Sequence, residues 1–404
     1  MENSGINGLR PLPAAGTFAA VRTLPLLTLL LCTSLHGQFQ EVQISALNGT
    51  SVSAVTVMGI KGGLVLLADD HIIGELAPND GIRVEVLGDK LVGRTLAASY
   101  SAKERFTLRA KQPDSGVRLR ALVPKLAERT YGGSLDIRRM GKELRFVVEE
   151  RLDDYVAGVI QSEAGTDQAP EYYKLQAVIC RSYALANARK HAPEGFELCD
   201  QVHCQVYRGR ATHPLILEAA RATRGMVAVD ADIRLIHATF HSNCGGETMN
   251  AEDLWSKSEP YLCATRDTFC LAQPHATWSR TISKSEWLSY LKRTYGLRID
   301  DPAVQHELLA YEPGCRGLYL NSNRPLISLK QVRDDWKLRS TFFSVRTEGD
   351  SVVLHGRGFG HGVGLCQEGA MEMARRGIPF VDILHHYYSE VHLVDLSSME
   401  FFRD

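Results

Sequence analysis

Net charge is what this sequence has least of: 46 Lys and Arg against 47 Asp and Glu leave −1 with histidine neutral. Such a balance offers no field to gather nucleic acid or anionic lipid, which argues against a nucleic-acid partner. Long apolar runs are missing as well. The best of them, "TLPLLTLLLC" ending at Cys32, is shorter than the roughly 20 apolar residues that a membrane-spanning helix needs. No internal repeat and no low-complexity linker is present, so neither a repeat array nor a tether accounts for the length. The glycine-rich stretch "GRGFGHGVGLCQEGA" lacks what a nucleotide loop requires. Counting G-x-G-x-x-G from Gly356, Gly358, Gly360 or Gly362 never meets the third glycine, and no Gly-Lys-Ser/Thr ending follows. Both phosphate-cradle readings fall, and no organic cofactor is expected.

What is present begins with an export signal. Arg22, a short apolar core and the small-residue exit "CTSLHG" fit a secretory signal peptide over residues 1–37, cleaved near Ser34 or Gly37. Lipidation of Cys32 is the alternative, and either would be the chain's sole tie to a membrane. The expected location is therefore the periplasm or cell envelope. Eight of the nine cysteines lie beyond that signal and would meet an oxidising compartment. Cys263–Cys270 and Cys244–Cys366 are candidate bridges, and Cys180 reads as a buried small hydrophobe.

The spacing of apolar residues predicts an α+β fold. From residue 38 to 130 short alternating segments such as "VQISAL", "VSAVTVMGI" and "GIRVEVLG" predict a β-rich region. From residue 131 to 404 helix and strand patterns interleave without regular βαβ spacing. "DDYVAGVIQSEAG" and "EYYKLQAVICRSYALANARKH" read as helices, the second with Pro170 at its start. "IRLIHATFHS" reads as a strand, and "SKSEWLSYLKRTYG", "QEGAMEMARRG" and "FVDILHHYYSE" as helices.

Four segments carry candidate chemistry, each with a plain rival. Glu163 follows the apolar "VAGVI" near a helix end. A carboxyl at the edge of an apolar wall has a raised pKa suited to acid/base work, while the rival is a solvated surface charge. "CDQVHCQVYRG" places Cys199, His203 and Cys204 within six residues, with His191 upstream. These are zinc-type N/S donors, and the rival is a Cys199–Cys204 disulfide. "FHSNCGGETMNAEDLW" surrounds Gly245 and Gly246 with Ser242, Asn243 and Thr248, and supplies Trp255 for stacking on a sugar; the rival is a hairpin turn. The last is the glycine stretch itself, with His361 presented between glycines and Gln367 opening a helix; the rival is a structural turn. A cysteine nucleophile at Cys244 or Cys366, paired with His241 or His361, has no protease signature behind it.

Taken in order, "DDYVAGVIQSEAG…EYYKLQAVICRSYALANA", "CQVYRG", "ATRGMVAVD", "ATFHSNCGGETMNAEDLW" and "GRGFGHGVGLCQEGAMEMARRG" closely resemble the SpoIID/LytB family of bacterial cell-wall proteins. The resemblance covers about residues 131–394. It implies lytic transglycosylase activity on peptidoglycan glycan strands, with sporulation-type members preferring glycans stripped of stem peptides. The family's catalytic glutamate falls on Glu163. The metal-binding members place zinc at the segment of Cys199, His203 and Cys204, with His191 as the fourth candidate ligand. The glycan would run in a cleft faced by Arg181, Tyr183, Gln205, Tyr207, Ser242, Asn243, Gly245, Gly246, Thr248, His361 and Gln367, its walls bare at the alternating glycines so that the sugar passes close. Cys244 and Cys366 stand where the family has small residues, and the resemblance assigns them no role. LytB-type members are amidase enhancers, so the alternative is a glycan-binding partner of a separate cell-wall hydrolase.

Overall fold

The computed structural model describes residues 41–401; the expected signal peptide and Cys32 lie outside them. Two sheets form, antiparallel but for one short edge strand, mostly from the N-terminal region, as its alternation requires. The seven-stranded sheet runs in the order Leu198–Cys199, Glu41–Ala46, Glu143–Arg151, Ser134–Met140, Arg105–Ala110, Leu64–Ala68, His71–Leu76. The six-stranded sheet runs Arg129–Gly132, Gly116–Val123, Ala54–Gly59, Gly81–Leu87, Lys90–Arg94, Ser99–Ala102. Inward residues such as Ile44, Val57, Ile82, Leu108 and Ile137 are fully buried, the period-2 pattern of a half-buried strand. The run "GLVLLADDHII" is two strands, because Asp69 and Asp70 both take positive φ and turn the chain.

The helical part grows directly out of this sheet. Strand Glu143–Arg151 leads without a break into α1 (Leu152–Ala164), followed by α2 (Pro170–Ala186) and α3 (Pro214–Ala222). Tyr155, Val156, Val159 and Ile160 of α1 and Leu175, Val178 and Ile179 of α2 are buried in the same cluster as Ile44 and Phe146. One core thus runs across residue 130, which sits inside strand Arg129–Gly132, and no break in packing marks that position. The two-residue strand Leu198–Cys199 closes the arrangement by adding in parallel to Ile44–Ser45 at the sheet edge. That pairing attaches the cysteine–histidine segment to a rigid platform.

A smaller module occupies residues 277–357. Strands Thr277–Ser283, Ser351–Arg357 and Phe343–Glu348 form a sheet around a separate core of Trp287, Leu291, Leu308, Ile327, Val332, Val345 and Leu354. Its first helix, Lys284–Tyr295, is capped at both ends: the Ser283 hydroxyl accepts the Glu286 N–H at 3.1 Å, and Gly296 ends it in the left-handed region. Only Phe240–His241 of "IRLIHATFHS" is a strand; its remaining backbone is irregular. Helices Gln367–Arg375 and Phe380–Tyr387 follow. Among the described residues no helix is long and apolar enough to cross a membrane.

Glu150 has a titration consequence. It is fully buried on its strand, with Oε1 accepting the Gly132 N–H at 2.8 Å and Oε2 accepting the Tyr207 hydroxyl. Burial pushes its carboxyl up to about 7 against the opposing hydrogen bonds. A carboxyl raised on folding contributes stability that is complete below its unfolded pKa and is lost as pH rises through the folded one. Thermal stability is therefore expected to fall between about pH 5 and 8. Glu150→Gln should flatten that slope in a melting series; an unchanged slope would show that other groups set it.

Candidate functional site

The last turn of α1 is built to hold one loop. Gln161 Oε1 accepts the N–H groups of Thr212 and His213 at 2.8 and 3.1 Å. Ser162 Oγ accepts the Arg208 N–H at 3.0 Å while donating to the Gly158 carbonyl. Glu163 Oε1 accepts the Val206 N–H at 2.7 Å. Three consecutive side chains thus pin residues 206–213 across the helix. Gly158 permits the approach, since a Cβ there would collide with the Tyr207 ring and the Gly209 carbonyl. In an isolated helix alanine would be favoured over glycine by about 1 kcal/mol. Here a backbone carbonyl stands in the way, so Gly158→Ala is expected to destabilise by about 1–3 kcal/mol, read as a lowered melting midpoint.

Glu163 is half-buried. Burial raises its pKa, and the Val206 N–H and the Arg208 charge oppose that only in part. Among the described residues, no second carboxylate acts on it. Its charge reaches the Tyr172 hydroxyl and the Cys180 thiol on α2. Gln205 and Gln367 complete the neighbourhood. Gln205, beside Cys180, accepts the Tyr155 hydroxyl at 3.2 Å, and Gln367 lies beside the Tyr172 hydroxyl. Both amides are buried; among the described residues neither Nε2 meets a partner in good hydrogen-bond geometry, Gln367 standing against the Tyr172 hydroxyl and Gln205 against the Cys180 thiol. A buried orphan donor costs roughly 1–3 kcal/mol unless something else accepts from it.

Two members of the expected glycan-facing set lie elsewhere. Arg181 is wholly buried. Its guanidinium pairs with Asp153 at 2.9 Å and donates to the Thr223 and Met226 carbonyls at 2.9 and 3.0 Å, so it fastens α2 to the end of α3 and reaches no cleft. Tyr207 is equally buried, its hydroxyl committed to Glu150. Tyr183 is half-buried with its hydroxyl 3.3 Å from Lys190 Nζ.

The cysteine–histidine segment converges. One donor atom from each of His191, Cys199, His203 and Cys204 lies within 4.8 Å of every other. His191 Nε2 is 3.4 Å from Cys204 Sγ, and His203 Nδ1 is 3.9 Å from both sulfurs. Glu194 Oε1 sits 2.6 Å from His191 Nδ1, the position from which a carboxylate orients a metal-binding imidazole. The sequence offered no cue for Glu194 beyond its place three residues on. Two sulfurs and two imidazoles in this arrangement fit zinc. Cys204 is two residues from Val206, so whatever fixes the quartet also fixes the N–H that meets Glu163.

The glycine stretch has a different explanation from the one expected. Its alternate glycines face protein, not open space. A Cβ on Gly358 would come within 2.6 Å of the Asn243 carbonyl, and one on Gly360 within 2.7 Å of the His241 Cβ. Gly364 is closed off by the Thr239 carbonyl, Gly356 by the Trp278 ring and Gly362 by the Arg316 guanidinium. Gly358, Gly360, Gly362 and Gly364 all have positive φ as well. The stretch is bare because it interlocks with the 239–245 loop, which it joins through the parallel pair Phe240↔Leu365, His241↔Cys366. The polar residues there serve the interlock. Asn243 Nδ2 donates to Glu368 at 2.7 Å and to the Cys270 carbonyl at 3.0 Å. Thr248 Oγ1 accepts the Thr265 N–H, and the Ser242 carbonyl accepts the Glu368 N–H. His361 uses both nitrogens, Nε2 on the Phe240 carbonyl and Nδ1 on the Val363 N–H, beside Trp255. Burial pushes its pKa down to about 4, so it is neutral. Gly245 and Gly246 line an open groove of about 560 Å³ with Arg266, Leu271, Phe342 and Arg357. None of the groups around Glu163 lines that groove. Neither candidate bridge forms: all eight cysteines among the described residues are free thiols.

Comparison with known proteins bears on the same segments. Residues 140–229, which hold α1, α2, the quartet and α3, match the family model described as SpoIID, Stage II sporulation protein. The chain is 28% identical over 253 residues to Stage II sporulation protein D of Bacillus subtilis (strain 168), covering 59% of this chain and 72% of the relative. It is 29% identical over 270 residues to an uncharacterised protein of Brachyspira hyodysenteriae, covering 66% and 72%. An amidase enhancer of Bacillus subtilis is 26% identical over 284 residues, covering 57% of this chain and 39% of the relative. Glu163 and the quartet both lie inside the matched segment, and the matches to a Stage II sporulation protein D and to an amidase enhancer support the resemblance to the SpoIID/LytB family.

Proposed function

We propose that this protein is an exported lytic transglycosylase of the bacterial cell envelope, cleaving the MurNAc–GlcNAc bonds of peptidoglycan glycan strands. The observation that carries the reading is a single half-buried carboxyl of raised pKa on which, among the described residues, no second carboxylate acts. A hydrolase of sugars uses two carboxyl groups, about 5–5.5 Å apart when it retains configuration and about 6.5–9.5 Å when it inverts. Lytic cleavage needs one. Protonated Glu163 gives its proton to the glycosidic oxygen as the C1–O bond breaks. The resulting carboxylate then takes the proton of the MurNAc 6-hydroxyl as that oxygen attacks C1. The 1,6-anhydro ring closes, water is not consumed, and Glu163 ends protonated as it began. The Nε2 groups of Gln205 and Gln367, neither in good hydrogen-bond geometry with the described residues, supply donors for the acetamido and hydroxyl oxygens of the sugars. The Val206 N–H holds Glu163 in one rotamer.

The quartet His191, Cys199, His203 and Cys204 is the place for zinc in this reading. Bound there, the metal would supply a cross-link within residues 191–204 and no chemistry at the glycan. All four positions of a tetrahedral ion would be taken by protein.

The test is digestion of purified sacculi, intact and stripped of stem peptides, followed by mass analysis. Anhydro-terminated products from either substrate support the enzyme. If neither substrate yields them, and the protein instead accelerates a separate amidase whether or not Glu163 is present, the activity proposed here is wrong and the family's enhancer role is the function.

A further inference from the structure

We infer that the protein holds a second metal ion, of the zinc class, on Cys244, Asp267, Cys270 and Cys366. The residues come from three segments far apart in sequence: the 239–250 loop, the 263–276 segment and the start of helix Gln367–Arg375. Each is fully buried. Three sulfurs and one carboxylate oxygen lie within 4.8 Å of one another. Cys244 Sγ is 3.4 Å from Cys270 Sγ and 3.3 Å from Asp267 Oδ2. Around zinc with Zn–S bonds of about 2.3 Å, tetrahedral geometry puts neighbouring sulfurs about 3.8 Å apart. A disulfide would need about 2.05 Å. The cluster therefore has the dimensions of a ligand cage.

Its composition points the same way. Three thiols cannot pair off among themselves, and a disulfide has no use for an aspartate at its centre. A wholly buried carboxylate is costly unless it is paired, hydrogen-bonded or protonated, and among the described residues Asp267 makes no ion pair, so a bound cation would relieve it. Thiolate and carboxylate ligands together are a zinc donor set. The surrounding groups orient these ligands. The Tyr387 hydroxyl donates to Asp267 Oδ2 at 2.9 Å, and the N–H groups of Phe269 and Cys270 donate to Oδ1 at 2.9 and 3.3 Å. The Cys244 N–H donates to Cys366 Sγ at 3.2 Å, and Arg316 holds the Cys244 carbonyl at 2.7 Å. Gly369 leaves the space that Asp267 and Tyr387 fill, for a Cβ there would collide with both. With four protein ligands and full burial the site is closed, so its metal is structural. It fastens both interlocking loops to the helix that presents Gln367.

The full exported chain, purified without chelator, is expected to carry about two zinc ions by elemental analysis, one for each cage. Cys270→Ser and Asp267→Asn should each leave about one, and Cys204→Ser should leave this one in place. Because a cage variant can fail to fold, wild type carries a second readout. Alkylation followed by peptide mass analysis should label exposed Cys263 and Cys315 at once. Cys244, Cys270 and Cys366 should be labelled only after chelation strips the metal. Cys180, equally buried but outside the cage, should stay unlabelled in both states, which separates metal loss from unfolding. One zinc per wild-type chain that Cys204→Ser abolishes would overturn the inference. So would a Cys244–Cys270 disulfide peptide from zinc-replete protein.

Discussion

Glu163→Gln is expected to lower release of anhydro products from sacculi by about 10²–10⁴-fold, the range that a positioned acid/base contributes. It should do so without lowering the melting temperature. Burial holds the Glu163 carboxyl above its ordinary range. Its contribution to stability is therefore complete below the unfolded pKa and fades as pH rises through the folded one. At neutral pH the neutral amide costs the fold nothing on electrostatic grounds, and its oxygen still accepts the Val206 N–H. Activity lost with stability kept is the signature of a chemical role. Activity and stability lost together would mean that Glu163 positions the 206–213 loop and that the proton comes from elsewhere. The same raised pKa sets the pH profile: kcat/KM should fall as pH rises through it, because the first step needs the protonated acid.

The second large effect belongs to the quartet. Cys204→Ser is expected to remove about one zinc ion per chain and several kcal/mol of stability. That is part of the roughly 10–16 kcal/mol that structural zinc supplies in small metal-dependent folds. The loss is partial because Cys199 stays paired through its strand to Ser45 at the sheet edge. Activity should fall too, through the freed Val206 N–H, and chelation of wild type should reproduce both losses. Recovery of a Cys199–Cys204 disulfide peptide from metal-free wild type would decide for the rival reading of these cysteines.

These two sites differ in how far sequence alone could reach. Glu163 and the quartet are nearly local. Their residues fall on one helix end and within a span of 14 positions, 191–204, so residue type and spacing brought them forward as candidates, and the resemblance to the SpoIID/LytB family singled out Glu163. The apolar stripe of α1 was legible for the same reason: its physics acts across one turn. Burial is not local. Arg181 and Tyr207 have the chemistry of sugar-binding residues, but the fold spends both inside, one on Asp153 and one on Glu150. Glycine is ambiguous in the same way, since a missing side chain does not say what takes its place. The alternating glycines from Gly356 to Gly364 proved to make room for Trp278, Asn243, His241, Arg316 and Thr239.

By itself, then, the sequence determined the fold class and most of the elements, because each rests on interactions between residues a few positions apart. Only the tertiary structure decided which polar side chains were left with donors out of good hydrogen-bond geometry, what fills the space beside each glycine, and that Cys244 and Cys366, 122 positions apart, meet Cys270 and Asp267. Those outcomes depend on how sheets and loops pack against one another, and a close-packed interior settles them through contacts that no spacing along the chain records.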